Sequence, residues 1–439
     1  MRSLLKKLFA SSLFQNSIAS GFWQLSNLLT PLILVPYLLN TLGEAQYGAF
    51  AFLQTLMEYG FLLTDYGFLL SATKRVAQET SLSRKAQLLL HVTFIKVVIT
   101  LLLGLFIFIA FTYLHVKEYE PAAFISLFLV ILSYSIFPMW YFQGIEKFKF
   151  ISMLNALSKA VLVVFVLTTV KTANDLSYAV HAYAVSYAFM GIFGMSYAIY
   201  TLRPALHSLL NVKDWLDSKE VQGLLKEGLP FFTSALVPTL YTHLPTIVLK
   251  LFTNNLLVGL FSLSFKVIII AKYALSAFVN VIYPRVCHKA TQLAIKALNS
   301  YIRKVYTPLW ISCLFGCIFI ALLAPWIGSL IGVDSQNVEM FTKLLRILSP
   351  IPLIVATHVW FSLPLIAYGH NQVFSRAILS GGGLALVWQG ICCLFWQQNP
   401  PMLTYAVSLG IVFTEIVIGV LFYIGYKRKY ALMHAIKTS

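Results

Sequence analysis

Apolar runs of twenty to thirty residues, separated by short polar turns, repeat along the whole chain. They cover roughly 16–42, 48–73, 86–114, 121–142, 150–170 and 177–200, then 229–252, 257–283, 306–331, 341–368, 373–396 and 403–426. A helix of about twenty residues crosses the hydrocarbon of a bilayer. A backbone in hydrocarbon must satisfy its own hydrogen bonds, so uninterrupted runs of this length are helices and not strands. The pattern predicts an all-α integral membrane protein of about twelve transmembrane helices.

The turns between the runs differ in charge. With the N-terminus inside, the cytoplasmic side receives Arg2, Lys6 and Lys7, then Lys74, Arg75, Arg84 and Lys85, then Lys147 and Lys149. It also receives Arg203, Lys213, Lys219 and Lys226, then Arg285, Lys289, Lys296, Arg303, Lys304, Arg376 and a basic C-terminal end. The opposite side holds only Lys117, Lys171, Lys343 and Arg346. This asymmetry predicts an even number of spans with both termini in the cytoplasm.

The longest polar connection, 201–228, falls near the middle of the chain. It predicts an N-terminal six-helix lobe (1–200), a cytoplasmic linker (201–228) and a C-terminal six-helix lobe (229–439). Halves with an even number of spans share one orientation, as in parallel repeats. A faint internal echo agrees: Tyr47-Gly48-Ala49-Phe50 and Val258-Gly259-Leu260-Phe261 open the second span of each half. The span before each carries prolines, Pro31 and Pro36 in one half and Pro238 and Pro245 in the other. Such paired interruptions mark either a transport pathway or packing kinks.

Composition narrows the class. Of the 439 residues 59% are hydrophobic and 11% charged, with a mean hydropathy of +0.81. A soluble domain carries about a quarter charged residues, so a soluble enzyme is excluded. The net charge of +17 follows from the basic turns and is not a nucleic-acid footprint. The N-terminal stretch lacks a small-residue cleavage site and reads as an uncleaved anchor. Cys287, Cys313, Cys317, Cys392 and Cys393 show no C-x-x-C spacing. His181, His243 and His358 lie singly on apolar spans without metal spacing, and no glycine-rich phosphate loop is present. Neither a metal nor a cofactor is expected, and no catalytic residue is assigned.

Candidate chemistry lies in the charges inside the spans. Each costs roughly 2.5–3.5 kcal/mol on insertion scales, so each needs a partner or a water-filled cavity. Lys266 leads, because Ser262, Lys266, Tyr273, Ser276 and Asn280 recur at helical spacing on one face of the eighth span. Lys272 lies off that stripe and is expected to pair with another helix or line a second edge. Lys159 and Lys96, on the fifth and third spans, either draw an anion from the cytoplasmic leaflet or snorkel. For Lys250, at the outer end of its span, snorkelling is the preferred reading. Glu58 and Asp65, seven residues apart on one face of the second span, and Glu415 on the last span serve ion coupling or structural pairing.

Three segments carry a family resemblance. These are Leu42-Gly43-Glu44-Ala45-Gln46-Tyr47-Gly48, the stretch from Asp65-Tyr66-Gly67-Phe68 to Ser71-Ala72-Thr73-Lys74-Arg75-Val76-Ala77, and Trp140-Tyr141-Phe142-Gln143-Gly144-Ile145-Glu146-Lys147. Together the chain resembles the Wzx-type O-antigen and polysaccharide flippases of the multidrug/oligosaccharidyl-lipid/polysaccharide exporter superfamily. Val258-Gly259-Leu260-Phe261-Ser262 with Lys266 is similar to that family's eighth helix. The resemblance implies two lobes around a central cationic cavity. It also implies transport of undecaprenyl-pyrophosphate-linked oligosaccharide units from the inner to the outer leaflet, with membrane lipids, a polysaccharide polymerase and a chain-length regulator as partners. Substrate binding is then expected at Lys266, Lys272, Lys159, Lys96, Tyr273 and Asn280.

Three other functions compete. A cation-coupled multidrug exporter favours acidic sites, yet here the intramembrane lysines outnumber the acids and the first span has none. A membrane-embedded polymerase or ligase needs sizeable periplasmic loops, and the predicted outer loops are short. A lipid II flippase is expected to carry two further helices.

Overall fold

The computed structural model describes residues 12–113, 119–206, 218–292 and 295–435, and every regular element among them is a helix. In order these are α1 (Ser12–Asp65), α2 (Phe68–Gln78), α3 (Leu82–Tyr113), α4 (Pro121–Ile136), α5 (Met139–Gly144), α6 (Phe148–Thr169) and α7 (Leu176–Leu206). There follow α8 (Ser218–Phe252), α9 (Asn255–Gln292), α10 (Ile295–Leu322), α11 (Ala324–Ile331), α12 (Val338–Leu348), α13 (Ile351–Ala367), α14 (Asn371–Trp396) and α15 (Pro400–Ala435).

Eleven helical stretches among the described residues are long and apolar enough to cross a membrane, the first being Gly21–Gln78. That stretch is twice the length of a crossing, and its backbone breaks inside. At Gly43 φ is 77° and ψ is 166°, which no helix accommodates and which glycine adopts without Cβ strain. Cut there, the first stretch becomes two crossings and the total twelve, as the apolar pattern predicts. The all-α membrane fold is therefore the observed one.

The breaks between helices correct the expected boundaries. The second span does not run through to residue 73. Tyr66 (φ 46°) and Gly67 (φ 79°) end it at Asp65, and α2 starts afresh at Phe68. Gly67 is required twice over, because a Cβ there would also lie 2.5 Å from the Gly228 carbonyl oxygen. The run expected over 341–368 is likewise two helices, parted at Ser349-Pro350. Hydropathy sees none of these interruptions, because every residue involved is compatible with a buried apolar run.

The chain divides into two units. One comprises Met1–Leu42 with Leu53–Leu236, and the other Gly43–Phe52 with Val237–Ser439. In the first, α4 and α6 pack on α7, and Ser158 and Ser186 bond reciprocally between α6 and α7 at 2.8–2.9 Å. Its core gathers Phe68, Ala72, Val92, Trp140, Phe142 and Leu202. Arg75 of α2 grips Glu227, at 2.7 Å, and Glu220 on the first turns of α8.

In the second unit α14 and α13 pack on α15, while α9 packs on α12 and α13. Lipid is as apolar as leucine, so close approach and hydrogen bonds, not hydrophobic exclusion, drive such packing. Small residues accordingly mark the contacts: a Cβ at Gly381 would collide with Ile418, and one at Gly410 with Trp388. Large apolar side chains point outward instead. Phe106 is 67% exposed, Leu394 76% and Phe395 74%, which suits a lipid solvent and not water.

Candidate functional site

In the first unit the intramembrane charges gather around tyrosines. Asp65 closes α1, and its carboxylate accepts the Leu69 N–H at 3.3 Å, supporting the first turn of α2 where Gly67 offers no side-chain cap. Its other oxygen is 4.0 Å from the ammonium of Lys96 on α3, which is buried. Lys96 in turn lies 5.0 Å from the ring centroid of Tyr134 on α4. Lys159 on α6 is placed the same way, 5.3 Å from the ring of Tyr187 on α7. Phe61 packs against both tyrosines with tilted rings, centroids 4.3 Å and 5.0 Å away.

Glu58 is exposed and acts electrostatically on Lys159, Tyr134 and Tyr187. One turn away, Gln54 donates to the Tyr183 hydroxyl at 2.8 Å. Lysines over ring faces gain cation–π attraction, worth about 2 kcal/mol or more where water is excluded. The tyrosines thus help hold two cations inside apolar helices, beside the two acids Asp65 and Glu58. Sequence periodicity ranks acids and lysines but is blind to which ring lies beneath them, so Tyr134 and Tyr187 go unnoticed there.

Three of the intramembrane lysines, Lys250, Lys266 and Lys272, belong to the second unit. Lys250 donates to Asn255 at 2.5 Å and sits 5.9 Å from the ring of Phe52. Lys266 donates to the hydroxyl of Tyr47 at 2.9 Å. Tyr47 is wholly buried in the Gly43–Phe52 segment. The same segment is fixed at Glu44, whose carboxylate accepts the Asp334 N–H at 2.8 Å and a bond from the Asn337 side-chain amide.

The polar stripe expected on the eighth span is not uniform. Ser262 has a buried hydroxyl and Lys266 is half-buried against Tyr47, whereas Tyr273 is 53% exposed and Ser276 bonds back to its carbonyl at 2.9 Å. The side chain of Asn280 lies outside the described ones.

Lys272 binds the Glu415 carboxylate at 2.9 Å, joining α9 to α15 across 143 residues of sequence. His358 on α13 completes the group: its Nε2 is 2.8 Å from the Glu415 backbone carbonyl and its Nδ1 is 3.9 Å from the second carboxylate oxygen. On sequence alone His358 reads as a packed histidine and Glu415 has no visible partner. Neither residue's neighbourhood can be inferred from spacing, since the three come from three different helices. His181, by contrast, is simply bonded to Ser126 at 2.8 Å and to the Ser177 carbonyl.

Lys266 and Lys272 are thus both tied, but unlike ties. Lys266 donates to a phenol, while Lys272 is matched by a carboxylate. Lys266→Ala is expected to cut transport at least severalfold while leaving membrane abundance within about twofold, because Tyr47 loses only a donor to its oxygen. Quantitative immunoblotting beside a transport readout checks this, and full activity in Lys266→Ala rejects a substrate role for the lysine.

Known proteins agree with the fold. The profile of the family described as polysaccharide biosynthesis protein matches residues 13–288. Two relatives, each named "Putative O-antigen transporter", come from Escherichia coli (strain K12) and Shigella dysenteriae. They are 27% identical over 380 residues and 23% over 400, covering 86% and 90% of this chain and 89% and 94% of their own. An inward-facing multidrug resistance MATE family transporter of the MOP superfamily aligns at TM-score 0.66 and 13% identity, over 93% of this chain and 96% of its own. The lipid II flippase MurJ, inward closed, aligns at 0.65 and 14%, over 96% and 90%. At these identities the two solved structures establish a shared fold, while the profile covers well over half of the sequence. The chain belongs to the polysaccharide biosynthesis protein family of multi-pass membrane proteins.

Proposed function

We propose that the protein is a flippase. It carries an undecaprenyl-pyrophosphate-linked O-antigen repeat unit, or a related polysaccharide unit, from the cytoplasmic to the periplasmic leaflet of the inner membrane. The observation that carries this reading is similarity along nearly the whole chain to two proteins named as O-antigen transporters. It is a transporter and not an enzyme on the same ground.

Physical chemistry supports the assignment. Each glycan hydroxyl moved unpaired into hydrocarbon costs several kcal/mol, so a repeat unit does not cross unaided. Five intramembrane lysines, set against three acids, suit an anionic headgroup and not a cationic drug. The membrane potential, negative inside, favours outward movement of an anion by about 2.3 kcal/mol per charge per 100 mV. The polysaccharide polymerase and chain-length regulator that consume such units are the proposed partners, alongside the bilayer lipids.

Deleting the gene is expected to strip the cell of the surface polysaccharide and to leave lipid-linked repeat units on the inner leaflet, where a membrane-impermeant glycan reagent does not reach them. Unchanged surface polysaccharide in the deletion strain rejects the flippase reading. The basic turns predict cytoplasmic termini. A C-terminal alkaline phosphatase fusion should accordingly be inactive, and an active one would place that end in the periplasm.

A further inference from the structure

The Lys272–Glu415–His358 group has a feature beyond a buried ion pair. A backbone carbonyl only accepts hydrogen bonds, so the 2.8 Å contact to the Glu415 carbonyl puts a proton on His358 Nε2. In a neutral imidazole Nδ1 then carries a lone pair, and it faces Glu415 Oε2 across 3.9 Å. That distance is too long for a hydrogen bond. Two acceptors therefore face one another. One added proton, with the two atoms drawn about 1 Å closer, joins them by a hydrogen bond.

The ion pair is also lopsided. The Lys272 side chain is 25% exposed and that of Glu415 is 4% exposed. The exposed quarter of the Lys272 side chain leaves an approach that the enclosed carboxylate lacks. We propose that Lys272 is a diphosphate subsite held by Glu415 as an internal counter-ion, and that an incoming diphosphate displaces the carboxylate while the Glu415–His358 pair takes up one proton. The inference rests on the flippase reading for its substrate.

The charges balance. Before binding, the ammonium and the carboxylate cancel and the imidazole is neutral. Afterwards a phosphate oxygen bonds the ammonium, and one proton released by the buffer acid is shared by Oε2 and Nδ1. No buried charge is left unpaired, which is the condition for breaking such a pair cheaply. A metal cation is a poor occupant, since the ammonium already sits 2.9 Å from the carboxylate.

On α8, Tyr241 acts electrostatically on Glu415. The hydrogen bonds of α15 to α14, α12 and α10 involve Trp388, Met340 and Asn299, and Arg303 of α10 acts electrostatically on Tyr426, about three turns along α15 from Glu415. A Cβ at Gly419 would sit 2.7 Å from His358 Nε2, so the glycine lets the ring lie against the carboxylate's own helix.

Binding that takes up one proton weakens as pH rises, by up to about tenfold per pH unit. The test is calorimetry on the purified full-length protein in detergent, across roughly pH 6 to 8, where histidine titrates. A polyprenyl diphosphate and inorganic pyrophosphate are titrated separately, in buffers of different ionisation heat. Wild type is expected to take up about one proton more than Glu415→Gln, in which the diphosphate's own ionisation is all that remains. Glu415→Gln, freed of its internal counter-ion, should bind several-fold tighter at the alkaline end. His358→Asn, which keeps the ion pair, should also lose the extra proton and serves if the glutamine variant does not fold.

The same proton count with inorganic pyrophosphate assigns the subsite to the diphosphate alone. The count with the lipid only assigns it to the lipid headgroup, and both results support the proposal. Tight lipid binding with equal proton uptake in wild type and both variants overturns it and leaves the flippase reading standing. No binding of the polyprenyl diphosphate by wild type overturns both.

Discussion

Lys272→Met is expected to destabilise the protein by about 3–5 kcal/mol, the usual cost of removing one partner from a buried ion pair. The carboxylate left behind is almost wholly enclosed, and its remaining neighbour, His358, offers it a lone pair and not a proton. The reverse change is milder. Glu415→Gln strands an ammonium that is a quarter exposed and keeps an amide where the carboxylate was, so about 1–2 kcal/mol is expected. Apparent melting temperatures of the two variants in detergent should therefore separate clearly, with the lysine variant lower. A double Lys272→Met/Glu415→Gln protein should recover most of the loss. Equal melting of the two single variants would show that solvent reaches both ends of the pair alike.

The second large effect lies at a helix crossing. Gly48→Ala is expected to reduce membrane abundance severely, because a Cβ there would overlap the backbone carbonyl of Asn255 and stand 2.7 Å from the Gly259 nitrogen. A Cβ at Gly259 would overlap the Glu44 carbonyl and lie 3.2 Å from the Gly48 nitrogen. Both obstacles are main chain, so no side chain can swing aside. Overpacking in a well-packed core costs about 1–3 kcal/mol, and this case belongs at the upper end. Gly383→Ala, with nothing within 4 Å of its added carbon, is the control and should behave as wild type. If Gly48→Ala folds as well as the control, the segment 43–52 is free to move away from α9.

The two glycines show how far the sequence could be read. They occupy matching places in the two halves, and the echo between Tyr47-Gly48-Ala49-Phe50 and Val258-Gly259-Leu260-Phe261 is visible on inspection. That they press against one another is not, since a repeat shows equivalence and not contact. The spans and their number were legible because hydrocarbon enforces long apolar helices. The break after Asp65 was not, since Tyr66 and Gly67 leave the apolar pattern intact and act through their backbone angles.

The same limit applies to the charges. Hydropathy finds Lys96, Lys266, Lys272 and Glu415 because each is costly where it stands. Their partners lie 31, 219 and 143 residues away, on helices whose rotation about their own axes is set only by packing. Tyr47 and His358 were passed over because a tyrosine or histidine on an apolar helix is unremarkable until a charge is beside it.

The grip on Glu44 also bears on how the chain is made. Its carboxylate bonds the N–H of a residue 290 positions later, and Tyr47 waits 219 positions for Lys266. At synthesis rates of 5–20 residues per second, Glu44 emerges roughly 15–60 s before its donor exists. During that interval an acid and a tyrosine destined for burial enter the membrane without the groups that later satisfy them. The segment Gly43–Phe52 must then be held by the insertion machinery or by lipid headgroups until α9 and the turn before α12 arrive. A ribosome-stalled chain ending before residue 255 should accordingly leave a cysteine at position 47 open to an aqueous thiol reagent, and release of the full chain should bury it.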